Sequence, residues 1–248
     1  IEKIAAEKAG IIKKSVPVVI GYQPFNEARR VLIDYADSIG SPTFMYDQDY
    51  VIKKDEDHLI YEDDKHKMKF ENLNNHGEFQ IKNLGLAIAT CFQLANIKVH
   101  SFLENKLHQK VYFPGRFEKL EHNKLNDLIS DQNELYLDGS HNPDAAVNIN
   151  ETIRTLPEKK LCIIIGMLNT KDPKEYIKQF SDIESIHTIG IPGEENTLSP
   201  SSLKSIICDQ HQNTHESKNI EGAVQDIVSK NPDARILICG SLYLAGQV

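Results

Sequence analysis

The second half of the chain has a regular beat of short apolar runs and helical stretches. Strands are expected at 135–138, 161–166, 185–190, near 212–215 and at 235–239. Helices are expected between them, at about 143–155, 173–181, 200–210 and 219–230. Short apolar runs bounded by turn residues read as buried strands, and their alternation with helices implies right-handed βαβ units in a mostly parallel sheet. Three helix starts share one device. Asn142-Pro143, Asp172-Pro173 and Ser199-Pro200 each set a capping side chain before a proline at the first helical position. This is a Rossmann-like pattern without GxGxxG, so a dinucleotide site has no direct support.

The first half is less regular. Residues 1–9 are helical in pattern, with Gly10 as a C′ glycine. A short buried strand spans Val16 to Gly21, and 24–39 reads as an amphipathic helix through Ala28, Val31, Leu32 and Tyr35. From Thr43 to about Phe70 the pattern predicts small antiparallel strands at a sheet edge. The runs Asp55-Glu56-Asp57 and Glu62-Asp63-Asp64-Lys65 read as solvated turns, not a metal site. A helix follows from Gln80 to Leu94, then a second helix and connector over 98–112. The domain boundary is placed near Tyr112, giving domains 1–112 and 113–248.

Composition narrows the classes. A chain of 248 residues, 40% of them apolar, can build one large core or two modest ones. Mean hydropathy is −0.41, and no apolar run approaches the ~20 residues of a membrane span. No membrane role is expected. Cys91, Cys162, Cys208 and Cys239 lack CxxC spacing and read as reduced core residues, which with the absent signal pattern predicts a cytoplasmic protein. A net charge of −8 argues against nucleic acid as partner. Ile1 already lies within a helical pattern and Val248 follows a glycine-containing turn, so an N-terminally truncated piece of a longer chain is expected.

The candidate chemistry centres on Leu137-Asp138-Gly139-Ser140-His141-Asn142-Pro143. A strand ends in a carboxylate, a glycine turns the chain, and a fresh helix start offers unpaired N–H groups to an anion. The turn falls at the carboxyl edge of the predicted sheet, where open α/β sheets bind ligands. Upstream, Phe113-Pro114-Gly115-Arg116 places an arginine at the domain junction, either as a surface charge or as a fork of donors for phosphate. Asn83 lies near a helix start, in Gln80-Ile81-Lys82-Asn83, and can be a surface amide. Lys8 lies in Glu7-Lys8-Ala9-Gly10, where a cation suits the helix dipole. The polar stretch Glu121 to Gln132 looks hairpin-like. No Ser-His-Asp set is read, and no zinc site.

With Ile4-Ala5-Ala6-Glu7-Lys8-Ala9-Gly10-Ile11-Ile12-Lys13 at the start and Gly240-Ser241-Leu242-Tyr243-Leu244-Ala245-Gly246 at the end, four segments stand in a specific order. Together they resemble the folylpolyglutamate synthase/dihydrofolate synthase family of the Mur ligase group, end to end. The resemblance implies the end of a Mur-ligase-type central ATPase domain without its P-loop, followed by a Rossmann-like α/β domain. It implies an ADP-forming amide ligase, monomeric, that adds L-glutamate to dihydropteroate or a folate through an acyl phosphate, using ATP and Mg²⁺. The chain alone would be inactive, since the phosphate-cradling loop lies outside it. The resemblance assigns Asn83, Arg116, Asp138 and His141 to ATP and makes Lys8 a carbamylated magnesium ligand. It gives Lys171, Asp172, Ser241 and Tyr243 no settled role. The alternatives are a non-catalytic remnant or nucleotide-binding module, and a Mur-type ligase of peptidoglycan precursors.

Overall fold

The computed structural model describes residues 1–71, 78–94, 99, 101 and 114–248. The helix and connector expected over 98–112 lie outside these residues apart from Val99 and Ser101, as do Tyr112 and Phe113. The chain divides into two compact units, Ile1–Val111 and Tyr112–Val248.

In the first unit a helix, Glu2–Ala9, packs against the helix Asn26–Ser38. Gly10 caps the first helix with φ −59°, a right-handed conformation. The chain therefore tightens into further turns through Ile11 and Ile12, which donate to Lys8 and Ala9, and Gly10 is not the left-handed C′ residue expected. Strand β1 (Val18–Ile20) pairs in parallel with β2 (Thr43–Met45). β3 (Tyr50–Asp55), β4 (His58–Asp63) and β5 (Lys67–Glu71) form a separate antiparallel sheet. The expected set of antiparallel edge strands thus splits. Alternate residues Tyr50, Ile52, Leu59, Tyr61, Met68 and Phe70 point to one face, where Ile81, Ile88 and Ala89 of the helix Glu78–Phe92 cover them. Asp63 corrects the reading of its run as a solvated turn. Its side chain is 3% exposed and accepts from Tyr61 Oη (2.9 Å) and the backbone N–H groups of Lys65 (2.8 Å) and His66 (2.7 Å).

The second unit is a six-stranded sheet in the order β10-β9-β8-β11-β7-β6. Here β6 is Glu118–Lys119, β7 Glu134–Leu137, β8 Leu161–Ile165, β9 Ile183–Thr188, β10 Thr214–Glu216 and β11 Arg235–Cys239. All neighbours are parallel except β6, which runs antiparallel to β7. The alternation of each strand sorts its side chains into two cores. Leu135, Leu137, Cys162, Ile164, Ile236 and Ile238 meet Ala223, Val224 and Ile227 of the helix Ile220–Lys230 on one face. Tyr136, Ile163, Ile165, Leu237 and Cys239 meet Ala146, Ile149, Tyr176 and Leu203 on the other. Buried on both sides, these strands read as continuous apolar runs.

The three cap-and-proline starts hold. Asn142 accepts from Ala145 N–H (2.9 Å), Asp172 from Glu175 N–H (3.1 Å) and Ser199 from Ser202 N–H (3.1 Å). Two readings need correction. The stretch 121–132 is not a hairpin but a 3₁₀ turn, Lys124–Leu128, because Asn123 caps it, Asn126 returns the bond, and Leu125 is buried. Of the cysteines, Cys162 and Cys239 are buried, whereas Cys91 and Cys208 are only partly so.

Two stability tests follow. Gly240 sits at φ +106°, and a Cβ there would lie 2.6 Å from the Gly166 carbonyl oxygen. We expect Gly240→Ala to cost about 3 kcal/mol or more, read from denaturant unfolding. His187 is 1% exposed, with Nδ1 3.0 Å from Ser217 Oγ, and burial pushes its imidazole down to about 4. The neutral ring is favoured in the fold, so its contribution is complete above pH 6.5 and is lost as pH falls from there toward 4. The loss is of order 3 kcal/mol, and His187→Gln should flatten the unfolding free energy across that window.

Candidate functional site

The site in the second unit is built from two chain segments that meet at the end of β7. Asp138 is the first residue after the strand, 4% exposed, and both of its carboxylate oxygens accept backbone N–H groups. Oδ2 takes the Phe117 N–H and Oδ1 the Ser140 N–H, each at 2.7 Å. A third bond, from Gly139 N–H to the Gly115 carbonyl (2.8 Å), closes the join. Burial pushes the Asp138 carboxyl above its ordinary range, against the bonds from Ser140 and Phe117 and the positive charge of Arg116. Asp138 does reach the carboxyl edge of the sheet, but as an organiser of backbone rather than an open carboxylate.

Arg116 lies between the two anchored residues Gly115 and Phe117. Its side chain is exposed and forms no hydrogen bond or ion pair among the described residues. Gly115 has φ +64° and donates to Glu118 Oε2 (2.8 Å), while Phe117 has φ +49° and stacks on Tyr136, ring centroids 4.7 Å apart. The arginine is thus carried outward on a turn fixed on both sides. Gly139 is required by close approach, since a Cβ there would meet Leu242 Cδ2 at 2.1 Å. His141 is half-buried, with Nδ1 3.2 Å from the Gly139 carbonyl.

The remaining sequence candidates of this unit take structural places. Asp172 is a helix cap and Lys171 is exposed. Ser241 is buried and caps the turn Leu242–Ala245, and Tyr243 is exposed. Reading the sequence missed Tyr176, whose hydroxyl lies 2.7 Å from Ser140 Oγ inside the domain. Its register on an apolar helical face marks it only as core.

Lys8 and Asn83 belong to the first unit. Asn83 is exposed on the helix Glu78–Phe92, and Lys8 is exposed in the last turn of the helix Glu2–Ala9. Beside Asn83, Lys82 Nζ lies 3.8 Å from the Tyr22 ring centroid and 2.8 Å from Glu78 Oε1. Among the described residues no group of three or more His, Cys, Asp or Glu stands together to hold a metal ion. Lys8 could supply one magnesium ligand at most, so these residues do not by themselves fit a complete magnesium site.

A mostly parallel six-stranded sheet with helices on both faces places the second unit in the α/β class. The model of the family described as "Dihydrofolate synthetase, C-terminal domain" matches residues 119–248, and the chain belongs to the folylpolyglutamate synthase/dihydrofolate synthase family. It is 26% identical to the folylpolyglutamate synthase of Lacticaseibacillus casei over 260 residues, covering 100% of this chain and 56% of that protein. Mycobacterium tuberculosis folylpolyglutamate synthase, solved with ADP and AMPPCP, shares the fold at TM-score 0.80 and 20% identity, over 99% of this chain and 58% of that one. A bifunctional folylpolyglutamate synthase/dihydrofolate synthase with Mn, AMPPNP and L-glutamate bound aligns at TM-score 0.76 and 19% identity, over 99% and 55%. The chain therefore spans little more than half the length of these relatives. The fold is of the Mur ligase type.

The clamp at Asp138 makes a test. In Asp138→Asn the amide nitrogen would face a backbone N–H it cannot accept from. We expect a loss of about 1–3 kcal/mol of stability by chemical denaturation. An unchanged unfolding midpoint would mean that the carboxylate does not hold the two segments.

Proposed function

We propose that this chain supplies part of the nucleotide site of an ATP-dependent ligase that joins L-glutamate to dihydropteroate, to folates, or to both. In this reaction a substrate carboxylate attacks the γ-phosphoryl group of ATP to give an acyl phosphate and ADP. The amine of glutamate then attacks the acyl carbon, an amide bond forms, and phosphate leaves with the released C–O electron pair. Supporting this reading are the family membership and the nucleotide-bound relatives. The observation that carries it is Arg116, an exposed guanidinium held on a doubly anchored turn at the carboxyl edge of the sheet.

A fixed fork of N–H donors suits a phosphate chain, and a preorganised cation stabilises charge on a transferring phosphoryl group without reorganising. Asp138 acts by holding the Arg116 turn and the Ser140-His141 turn to one frame, and His141 would face phosphate or glutamate. Asn83, an exposed amide, would bind the adenine edge. Magnesium would offset phosphate charge when bound. Carbamylation would turn Lys8 from a cation into an oxygen ligand for it.

The test is a chimera in which this chain replaces the matching portion of the Lacticaseibacillus casei enzyme, checked for a cooperative melting transition. It should consume ATP in a glutamate-dependent way. Arg116→Ala should lower kcat/KM for ATP by about 30- to 1,000-fold, equivalent to 2–4 kcal/mol, and Lys should restore little because it lacks the planar fork. A folded chimera with near-normal kcat/KM after Arg116→Ala would return the arginine to an ordinary surface charge.

A further inference from the structure

Beneath the Asp138–His141 turn lies a row of buried polar groups that the proposed reaction does not use. Ser140 Oγ is 2.7 Å from Tyr176 Oη, and the buried Cys239 thiol is a close neighbour of Tyr176. At the other end, Ser140 is tied to the Asp138 carboxylate through its backbone, Oδ1 accepting the Ser140 N–H at 2.7 Å. All four side chains are buried, and Tyr176 is wholly so.

The topology makes this row more than a local contact. Ser140 follows β7, Cys239 ends β11, and Tyr176 stands on the helix Pro173–Ile177 that follows β8. These are three neighbouring strands, since β11 lies between β8 and β7. The row therefore brings together the carboxyl ends of three strands that reach their positions from distant parts of the sequence. A second bond, from Gly240 N–H to the Ser140 carbonyl (3.0 Å), fixes the same turn to β11.

Both members of the Ser140–Tyr176 pair are hydroxyls, so either can donate to the other. Burial keeps Tyr176 and Cys239 protonated, raising the Tyr176 hydroxyl and pushing the Cys239 thiol up to about 12.

We infer that Tyr176 is a positioning residue, whose buried hydroxyl, bonded to Ser140, holds the Asp138–His141 turn in the form that binds nucleotide. The link to nucleotide rests on the function proposed above, whereas the link to the turn does not. Phe at this position would keep the ring and its packing against Phe180 but remove the bond to Ser140. With that bond lost, the turn loses its side-chain tie to the helix Pro173–Ile177 and is free to shift against the Asp138 carboxylate.

The experiment compares Tyr176→Phe, Ser140→Ala and the double variant. In the full chain, residue-resolved carbon NMR follows the titration of the Asp138 carboxyl. In the chimera, steady-state kinetics give KM for ATP. We expect cooperative unfolding in each variant, and an Asp138 midpoint raised by about half a pH unit or more as the loosened turn weakens the Ser140 N–H bond to the ionised form. KM for ATP should rise about fivefold or more with kcat changed much less. The double variant should resemble either single one, because both substitutions cut one chain. An unmoved Asp138 midpoint and KM in Tyr176→Phe, or additive effects in the double variant, would overturn the inference. Should Tyr176→Phe fail to fold, Ser140→Ala decides, since it cuts the same link. If Arg116→Ala leaves KM and kcat normal, the nucleotide reading fails while the NMR titration still judges Tyr176. If Arg116→Ala impairs the enzyme and Tyr176→Phe does not, the positioning role alone is refuted.

Discussion

Much of the second unit's carboxyl edge depends on one buried carboxylate. Asp138 has only acceptors to offer, and two segments spend a backbone N–H on it: Phe117 from before the domain's first full strand and Ser140 from after it. A charge so deeply buried is costly unless its lone pairs are filled, and here the filling groups are the loops that matter. Phe117 is held at φ +49°, a conformation that β-carbon-bearing residues rarely adopt, and its stacking on Tyr136 helps to offset that strain. The carboxylate shares the task of holding Gly115-Arg116-Phe117 to the strand end with the Gly139 N–H, which donates to the Gly115 carbonyl.

The fold was legible where the chain obeys a single period. Ile163, Ile164 and Ile165 lie on a strand covered on both faces, and their unbroken apolarity announces that burial. Asn142, Asp172 and Ser199 were legible because a cap before proline is a local signal that needs no tertiary help. The small sheet β3-β4-β5 was read with the right polarity but attached to the wrong neighbours. Its strands alternate as expected, yet only the packing of Ile81 and Ile88 against Tyr50, Ile52 and Leu59 shows that they stand apart from β1 and β2. Asp63 was misread for a similar reason. A carboxylate in an acidic run looks solvated until the turn folds its own N–H groups back onto it.

The candidate site was legible to a different degree at each residue. Asp138 and Arg116 announced themselves through glycine and proline neighbours that mark turns. What the sequence could not show is that the two are bound to each other through Phe117, because no local pattern records a contact across 21 residues. Tyr176 was further from view. One hydroxyl on an apolar helical face carries no periodic signal, and its meaning comes from Ser140, 36 residues upstream of it at the end of another strand.

Burial divides the labour of these charges. A buried, fully bonded carboxylate is too committed to exchange partners easily and serves best as a fixed reference for backbone. An exposed guanidinium with no bond among the described residues keeps all its donors for something else, at the expense of being positioned only by its backbone. The turn resolves this trade by placing the free cation between two residues that are themselves tied down, Gly115 through Gly139 and Phe117 through Asp138. In the role proposed for Arg116, the rigidity that a phosphate-binding group needs would be supplied from the main chain, leaving the side chain's donors for a ligand. That arrangement explains why the acidic and the basic residue of this edge do not form a salt bridge with each other. Paired directly, each would have satisfied the other and left no donor facing outward.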